Sequence, residues 1–145
     1  VQIRPSVPPR LFQCVGRTKP FLESLKFSLR IQAPHVVDYA GGRGRLLPHV
    51  DNIDACGQYV MGISLLAPAV MTLRHTTHED DYAQVLLPRR SLYLLSGPSR
   101  YDFTHEMHAD PDCPVTFDGE AVPGARDRRI SVVIRDLPRP PTPIA

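Results

Sequence analysis

An all-β core, built as a double-sheet jelly roll and preceded by one short helix, is the fold class that this sequence predicts. From position 35 onward, short apolar runs are cut by Gly, Pro and Asp at intervals of about ten residues, the signature of many short strands. Helical spacing is convincing only over 20–30, where Phe21, Leu22, Leu25 and Leu29 follow Pro20 in its favoured first turn. The links between runs are mostly short and turn-like, which favours antiparallel neighbours in two packed sheets.

Pro5, Pro8, Pro9 and Pro20 make 1–35 an irregular lead-in that ends in the short helix, and it reads as truncated. The jelly-roll domain is placed at 36–138. Pro138, Pro140, Pro141 and Pro143 mark 139–145 as an extended tail. Within the domain, strands are expected over 35–39, 45–50, 60–66, 70–75, 84–87, 91–96, 100–105 and 129–135. Gly41-Gly42-Arg43-Gly44 supplies a tight turn between the first two, because glycine adopts positive φ without steric cost. His78-Glu79-Asp80-Asp81 forms a charged hairpin tip. The Pro- and Gly-rich stretch 110–127 is expected to be a long loop.

Composition narrows the function classes. With 42% hydrophobic and 22% charged residues, the 145-residue chain matches an ordinary globular domain. A net charge of +2 gives no argument for a nucleic-acid surface unless the bases cluster on one face. Cys14, Cys56 and Cys113 are odd in number and lack a CxxC pair, so neither a disulfide framework nor a zinc site is indicated, and a reducing compartment fits best. Apolar runs are broken by Pro68 and Gly97, so no membrane span is expected. Arg4, Arg10, Arg17 and Lys19, with no acid up to position 22, faintly resemble a transit peptide, although the prolines spoil its amphipathic helix. No Walker loop, nucleophile elbow or dinucleotide fingerprint is present.

His49-Val50-Asp51 carries the strongest chemical signal. Side chains two apart on a strand share a face, so His49 and Asp51 can reach one metal while Val50 packs the other way. An isolated HxD is also a common surface turn. His105, at the end of a later strand, raises the metal reading, because two imidazoles and a carboxylate can hold three corners of an iron octahedron and leave three open. On the last strand, Arg129, Ser131, Val133 and Arg135 share one face, opposite Ile130, Val132 and Ile134. If both faces are buried, the guanidinium groups need anionic partners, and a dicarboxylic acid supplies them through bidentate pairing. The alternative is an edge strand with solvated arginines. Tyr93 brings a hydroxyl into a buried strand, where its partner is either that anion or a backbone carbonyl. His105 and His108 are three apart rather than the four a zinc-protease helix requires, so that motif is set aside; His35, His75, His78 and His108 are expected to be structural or solvated.

These motifs resemble the AlkB family of iron(II) and 2-oxoglutarate dioxygenases, and within it the mitochondrial branch. The resemblance is carried by 47–71, with His49-Val50-Asp51, Cys56-Gly57, Gly62 and Ser64-Leu65-Leu66. It continues in Ser91-Leu92-Tyr93, in Arg100-Tyr101-Asp102-Phe103-Thr104-His105-Glu106 and in Arg128-Arg129-Ile130-Ser131-Val132. It implies a double-stranded β-helix with Fe(2+) held by His49, Asp51 and His105. It also implies 2-oxoglutarate against Tyr93, Arg129, Ser131 and Arg135, with dioxygen as the second cosubstrate. The implied reaction is hydroxylation of a carbon–hydrogen bond with release of succinate and CO2. The resemblance further implies a mitochondrial matrix location and links to fatty-acid metabolism and programmed necrosis.

Some features depart from the family pattern. Relatives that repair nucleobases carry an amino-terminal lid and an acidic residue two positions beyond the iron aspartate, where this chain has Ile53. Duplex DNA is therefore not expected as a substrate; a protein or small molecule is, with RNA N-demethylation as the alternative if Arg43, Arg45, Arg89 and Arg90 ring the iron mouth. A catalytically silent interaction module is the third reading. Some relatives offer Asn and Tyr to the cosubstrate ahead of the HxD, whereas here Asp38 and Ala40 hold those places and Tyr39 is out of phase, so that strand is left out of the candidate site.

Overall fold

The computed structural model describes residues 2–4, 20, 24, 30–78, 80–108, 110 and 112–138. The expected helix over 20–30 lies outside the described residues except at Pro20, Ser24 and Arg30, and the tail 139–145 and Cys14 lie outside them too. The described strands are β1 (Gln2–Arg4), β2 (His35–Tyr39), β3 (Leu46–His49), β4 (Val60–Leu65), β5 (Ala69–His75) and β6 (Tyr82–Leu87). They continue as β7 (Ser91–Leu95), β8 (Phe103–Met107), β9 (Thr116–Phe117), β10 (Glu120–Ala121) and β11 (Arg129–Arg135), with a single helical turn, Pro98–Tyr101, between β7 and β8.

Two antiparallel sheets result, one in the order β1-β2-β11-β4-β7 and the other β3-β8-β5-β6, beside a small β9–β10 hairpin. Side chains from both sheets meet in one cluster containing Tyr39, Val60, Leu95 and Val133 from the larger sheet and Ala69, Met71, Leu87 and Met107 from the smaller. The larger sheet buries a second cluster on its other face, made of Met61, Ile63, Val132 and Ile134. Full burial of each such aliphatic side chain contributes about 1.5–3 kcal/mol, which explains why the strand period is so strict here.

β11 is the central strand of the larger sheet, with β2 on one side and β4 on the other. The edge-strand alternative is thereby corrected: Arg129 is 2% exposed, and both faces of the strand are buried. Conversely, β3 is an edge strand, and Pro48 within it, which has no amide proton to donate, is tolerated only at such an edge.

Three local expectations need correction. The strand expected over 100–105 starts at Phe103, because Gly97 takes a φ of 53°, Pro98 opens a helical turn, and the Ser99 hydroxyl donates to the Ser96 carbonyl at 2.9 Å. The strand expected over 45–50 is Leu46–His49, so Asp51 lies just past its end. The stretch 110–127 carries the β9–β10 hairpin, whose two central residues, Asp118 and Gly119, have φ of 52° and 78°. Paired positive φ at Asp-Gly is the chemistry of a type I′ hairpin turn, a signal already present in the sequence.

Candidate functional site

The antiparallel pairing of β3 with β8 sets His49 opposite His105, with ring centroids 4.2 Å apart. Nδ1 of His49 donates to the Leu47 carbonyl at 2.9 Å, which leaves Nε2 as the ring nitrogen available to face a metal. Nε2 of His105 stands 4.0 Å from Oδ2 of Asp51. Adjacent corners around an ion with bonds of about 2.1 Å lie about 3.0 Å apart, so this pair would have to close by about 1 Å to share one metal. Burial, reinforced by His49, pushes the His105 pKa down to about 4, so its imidazole is neutral near pH 7, the form that ligates a metal. Asp51 turns its other oxygen to Arg135, whose Nη2 donates at 2.9 Å. In this conformation, no three His, Cys, Asp or Glu side chains among the described residues form a closed metal cage.

Arg100 holds the aspartate's loop. Its guanidinium, 2% exposed, donates from Nη1 to the Asp51 carbonyl at 2.9 Å and from Nη2 to the carbonyls of Asn52 and Cys56, each at 3.4 Å. The Asn52 side chain in turn accepts from the amides of Asp54 and Ala55 at 2.8 and 3.1 Å. The loop after β3 is therefore wrapped around a buried cation, and Asp51 is presented from a fixed backbone.

The second half of the site lies along the inner face of the larger sheet. Arg129 donates from Nε to the Ser64 hydroxyl at 3.0 Å and lies beside the Tyr39 hydroxyl, while its buried Nη1 and Nη2 have no hydrogen-bond partner of ordinary geometry among the described residues. The Ser91 hydroxyl and Nε of Arg135 are likewise buried without a partner among the described residues, and the buried Ser131 hydroxyl has the Tyr93 hydroxyl beside it. Cross-strand register aligns Ser131, Ser64 and Ser91 in one row and Val133, Gly62 and Tyr93 in the next. Gly62 is required for this wall, because a Cβ there would lie 2.2 Å from the Tyr93 ring. Burial raises the Tyr93 pKa against the opposing influence of Arg129, so its hydroxyl stays a donor. A buried guanidinium with two such nitrogens, flanked by hydroxyl donors, has the chemistry to take a carboxylate.

Of the sequence candidates, His49, Asp51, His105 and Arg135 form one cluster, and Arg129, Ser131 and Tyr93 form the adjoining wall. Sequence reasoning missed Arg100, Ser64 and Tyr39. Tyr39 pairs in register with Arg129, and the guanidinium carbon lies 5.2 Å from its ring centre, so the strand set aside does face the site. Burial pushes the Tyr39 pKa up to about 12 despite Arg129, leaving another protonated hydroxyl in the wall. Asp38, in the opposite phase, turns outward to Arg128 at 2.8 Å. A mouth runs beside His49, lined by Arg43, Arg45, Leu46, Leu47 and Pro48. Arg89 and Arg90 do not join it: the Arg90 amide bonds to Ser64 at the far end of β4, whereas Arg135, which bonds Asp51, is registered with Val60 at the near end.

Two antiparallel sheets, with His49, Asp51 and His105 at one end of the space between them and Arg129 along its wall, set the class against which the comparisons are read. The chain belongs to the 2OG-Fe(II) oxygenase superfamily, whose pattern it matches over residues 2–135, and the cofactors of that family are Fe(2+), 2-oxoglutarate and dioxygen. Within the family it is AlkB-like. It is 47% identical over 105 residues to the mouse (Mus musculus) "Alpha-ketoglutarate-dependent dioxygenase alkB homolog 7, mitochondrial", covering 72% of this chain and 45% of that protein. The cattle (Bos taurus) protein of the same name is 44% identical over 109 residues, covering 74% of this chain and 47% of its own length. A frog (Xenopus tropicalis) "tRNA (carboxymethyluridine(34)-5-O)-methyltransferase alkbh8" is 40% identical over 67 residues, covering 46% of this chain and 10% of that protein. The chain thus spans a little under half the length of the mouse and cattle relatives.

Proposed function

We propose that the chain is an AlkB-type dioxygenase that hydroxylates a protein or other non-duplex substrate, with release of succinate and CO2. The two sheet orders support a double-stranded β-helix. Strands β2, β4, β7 and β11 lie in one sheet and β3, β5, β6 and β8 in the other, which is the alternation a rolled double sheet requires.

The single observation that carries the reading is the buried Arg129 guanidinium with idle Nη1 and Nη2, set in a wall of Tyr39, Tyr93 and Ser131. A stable fold does not retain an unpaired buried cation without use. On this reading Arg129 holds the far carboxylate of 2-oxoglutarate, with Ser131 and Tyr93 donating beside it. Arg135, already at Asp51, orients that ligand and faces the oxo-acid end. His49, Asp51 and His105 would hold Fe(2+), and Arg100 positions Asp51 through its backbone. Bound there, the metal with dioxygen and the 2-oxo acid supplies the oxidising power to hydroxylate a carbon–hydrogen bond.

A mitochondrial matrix location is part of the proposal, supported by the relatives named mitochondrial. Roles in fatty-acid metabolism and programmed necrosis rest on resemblance alone. RNA N-demethylation is favoured by one observation, the placement of Arg43 and Arg45 at the mouth beside His49. A catalytically silent module has no need of either the metal donors or the idle guanidinium.

Succinate formation with Fe(2+), 2-oxoglutarate and ascorbate tests the reading, comparing the native chain with His105→Ala. Turnover in the native chain and none in the variant is expected; equal turnover in both would refute it. RNA affinity that falls steeply with salt and is lost in Arg43→Ala/Arg45→Ala would move the substrate class to RNA.

A further inference from the structure

Arg129, Tyr39, Met107, His108 and Arg126 border a small space of about 10 Å3, room for about one water-sized atom. A larger groove of about 300 Å3 lies on the outer face of the smaller sheet. Its floor includes Val70, Thr72 and Glu106, which alternate with the core residues Met71 and Met107. Among the described residues, His108 and Arg126 are the two that border both spaces. They form the partition between the open groove and the guanidinium read as the carboxylate anchor.

Neither is an ordinary surface residue. His108 follows the last residue of β8, where alternation would send it outward like Glu106; its φ of 51° breaks the period, so one ring meets both spaces. Its Nδ1 is buried without a partner among the described residues. Burial, then Arg126 and Arg129, push its pKa down to about 4, so the ring is neutral near pH 7 and adds no charge beside the two guanidinium groups. Arg126 is held from the groove side, where Nη2 donates to the carbonyls of Asp110 and Cys113, while its buried Nη1 has no partner among the described residues.

We propose that Arg126 and His108 are specificity-determining residues, the end wall that limits the length of the 2-oxo diacid held by Arg129. The inference rests on the carboxylate reading of Arg129 given above. With the far carboxylate of 2-oxoglutarate on Arg129, the remaining space takes about one more atom. A diacid longer by one methylene needs more than that, so it either strains the wall or pulls its carboxylate out of register with the Arg129 fork. One methylene at a closed pocket end is typically worth about tenfold or more in discrimination. Without the Arg126 side chain the small space opens into the groove, and the longer acid gains the room it lacks.

The test is anaerobic calorimetry with Fe(2+), comparing 2-oxoglutarate with 2-oxoadipate, its homologue one methylene longer. The native chain is expected to prefer 2-oxoglutarate by about tenfold or more, and Arg126→Ala by less than about threefold. Arg126→Met, which keeps most of the bulk, is expected to retain the preference, so a change in Arg126→Ala alone reports length rather than charge. His108→Gly opens the partition from its other half at a backbone angle that glycine adopts freely, and it is expected to lose the preference too. If the native chain binds both acids equally, or if Arg126→Ala and His108→Gly both keep the native preference, the end wall is overturned. Failure of the Arg129 reading looks different: the native chain then binds neither acid, or Arg129→Met binds 2-oxoglutarate as the native chain does, and the end wall falls with it.

Discussion

Arg135 donates from Nη2 to Oδ1 of Asp51 at 2.9 Å, tying the end of the last strand to the loop that carries the only carboxylate of the candidate metal group. The bond crosses 84 positions of sequence and joins the larger sheet to the edge strand of the smaller one. Asp51 is 8% exposed, so this contact is also what makes its charge tolerable in the interior.

Arg135→Ala leaves that carboxylate without its partner. Breaking a buried pair costs about 3–5 kcal/mol, and because the Arg135 side chain is 22% exposed a loss of about 2 kcal/mol is expected. Urea unfolding measures it; an unchanged midpoint would show that the pair is solvated in solution.

Arg129 should respond in the opposite sense. Its idle nitrogens make it a burden to the ligand-free fold, so Arg129→Met is expected to keep or raise the melting temperature while abolishing stabilisation by 2-oxoglutarate. Thermal melts with and without the oxo acid separate the two effects. A variant that melts lower yet still responds to 2-oxoglutarate would place the carboxylate elsewhere.

Gly62→Ala places a methyl group 2.2 Å from the Tyr93 ring, and overpacking of that kind costs about 1–3 kcal/mol. Tyr93→Ser in the same chain removes the obstacle. The double variant is expected to recover stability relative to Gly62→Ala but not the affinity for 2-oxoglutarate, which a double-mutant cycle with calorimetry resolves.

Arg100→Lys retains the charge and loses the fork that spans three carbonyls. Groups that orient metal ligands typically change metal affinity 10–100-fold, and a weakening of about tenfold for Fe(2+) is expected here. Far-UV spectra and unfolding curves of the same samples show whether the fold survives. Native-like affinity would mean that the Asp51 loop is held by its own turn.

His108 sets an acid limit on stability. Burial, then Arg126 and Arg129, push its pKa down to about 4, whereas the unfolded chain takes up the proton near 6.5. The unfolded state therefore binds more protons between those values, and the folded state loses stability as pH falls from about 6.5 to about 4, then levels off. His105 is shifted down to about 4 as well and adds to the same window. Urea midpoints at pH 7, 5.5 and 4.5 are expected to fall in that order, and His108→Asn to fall less steeply.

Strand period alone put Arg129, Ser131 and Arg135 on one face, because side chains alternate without exception along an unbroken strand. For His49 and Asp51 the rule reached only as far as His49, where the strand ends, while the motif order carried the resemblance that the family match now supports. What the linear chain left open was every relationship set by pairing between strands. Tyr39 was judged out of phase from its own segment, yet its register with Arg129 turns it inward. Arg100 read as one end of a strand; only the fold shows its guanidinium inside the Asp51 loop, 49 positions away. Ser64 became visible as a partner once β4 lay beside β11. Local alternation is encoded residue by residue. Which alternating faces meet depends on register across distant strands, and a shift of one position there exchanges the inside for the outside.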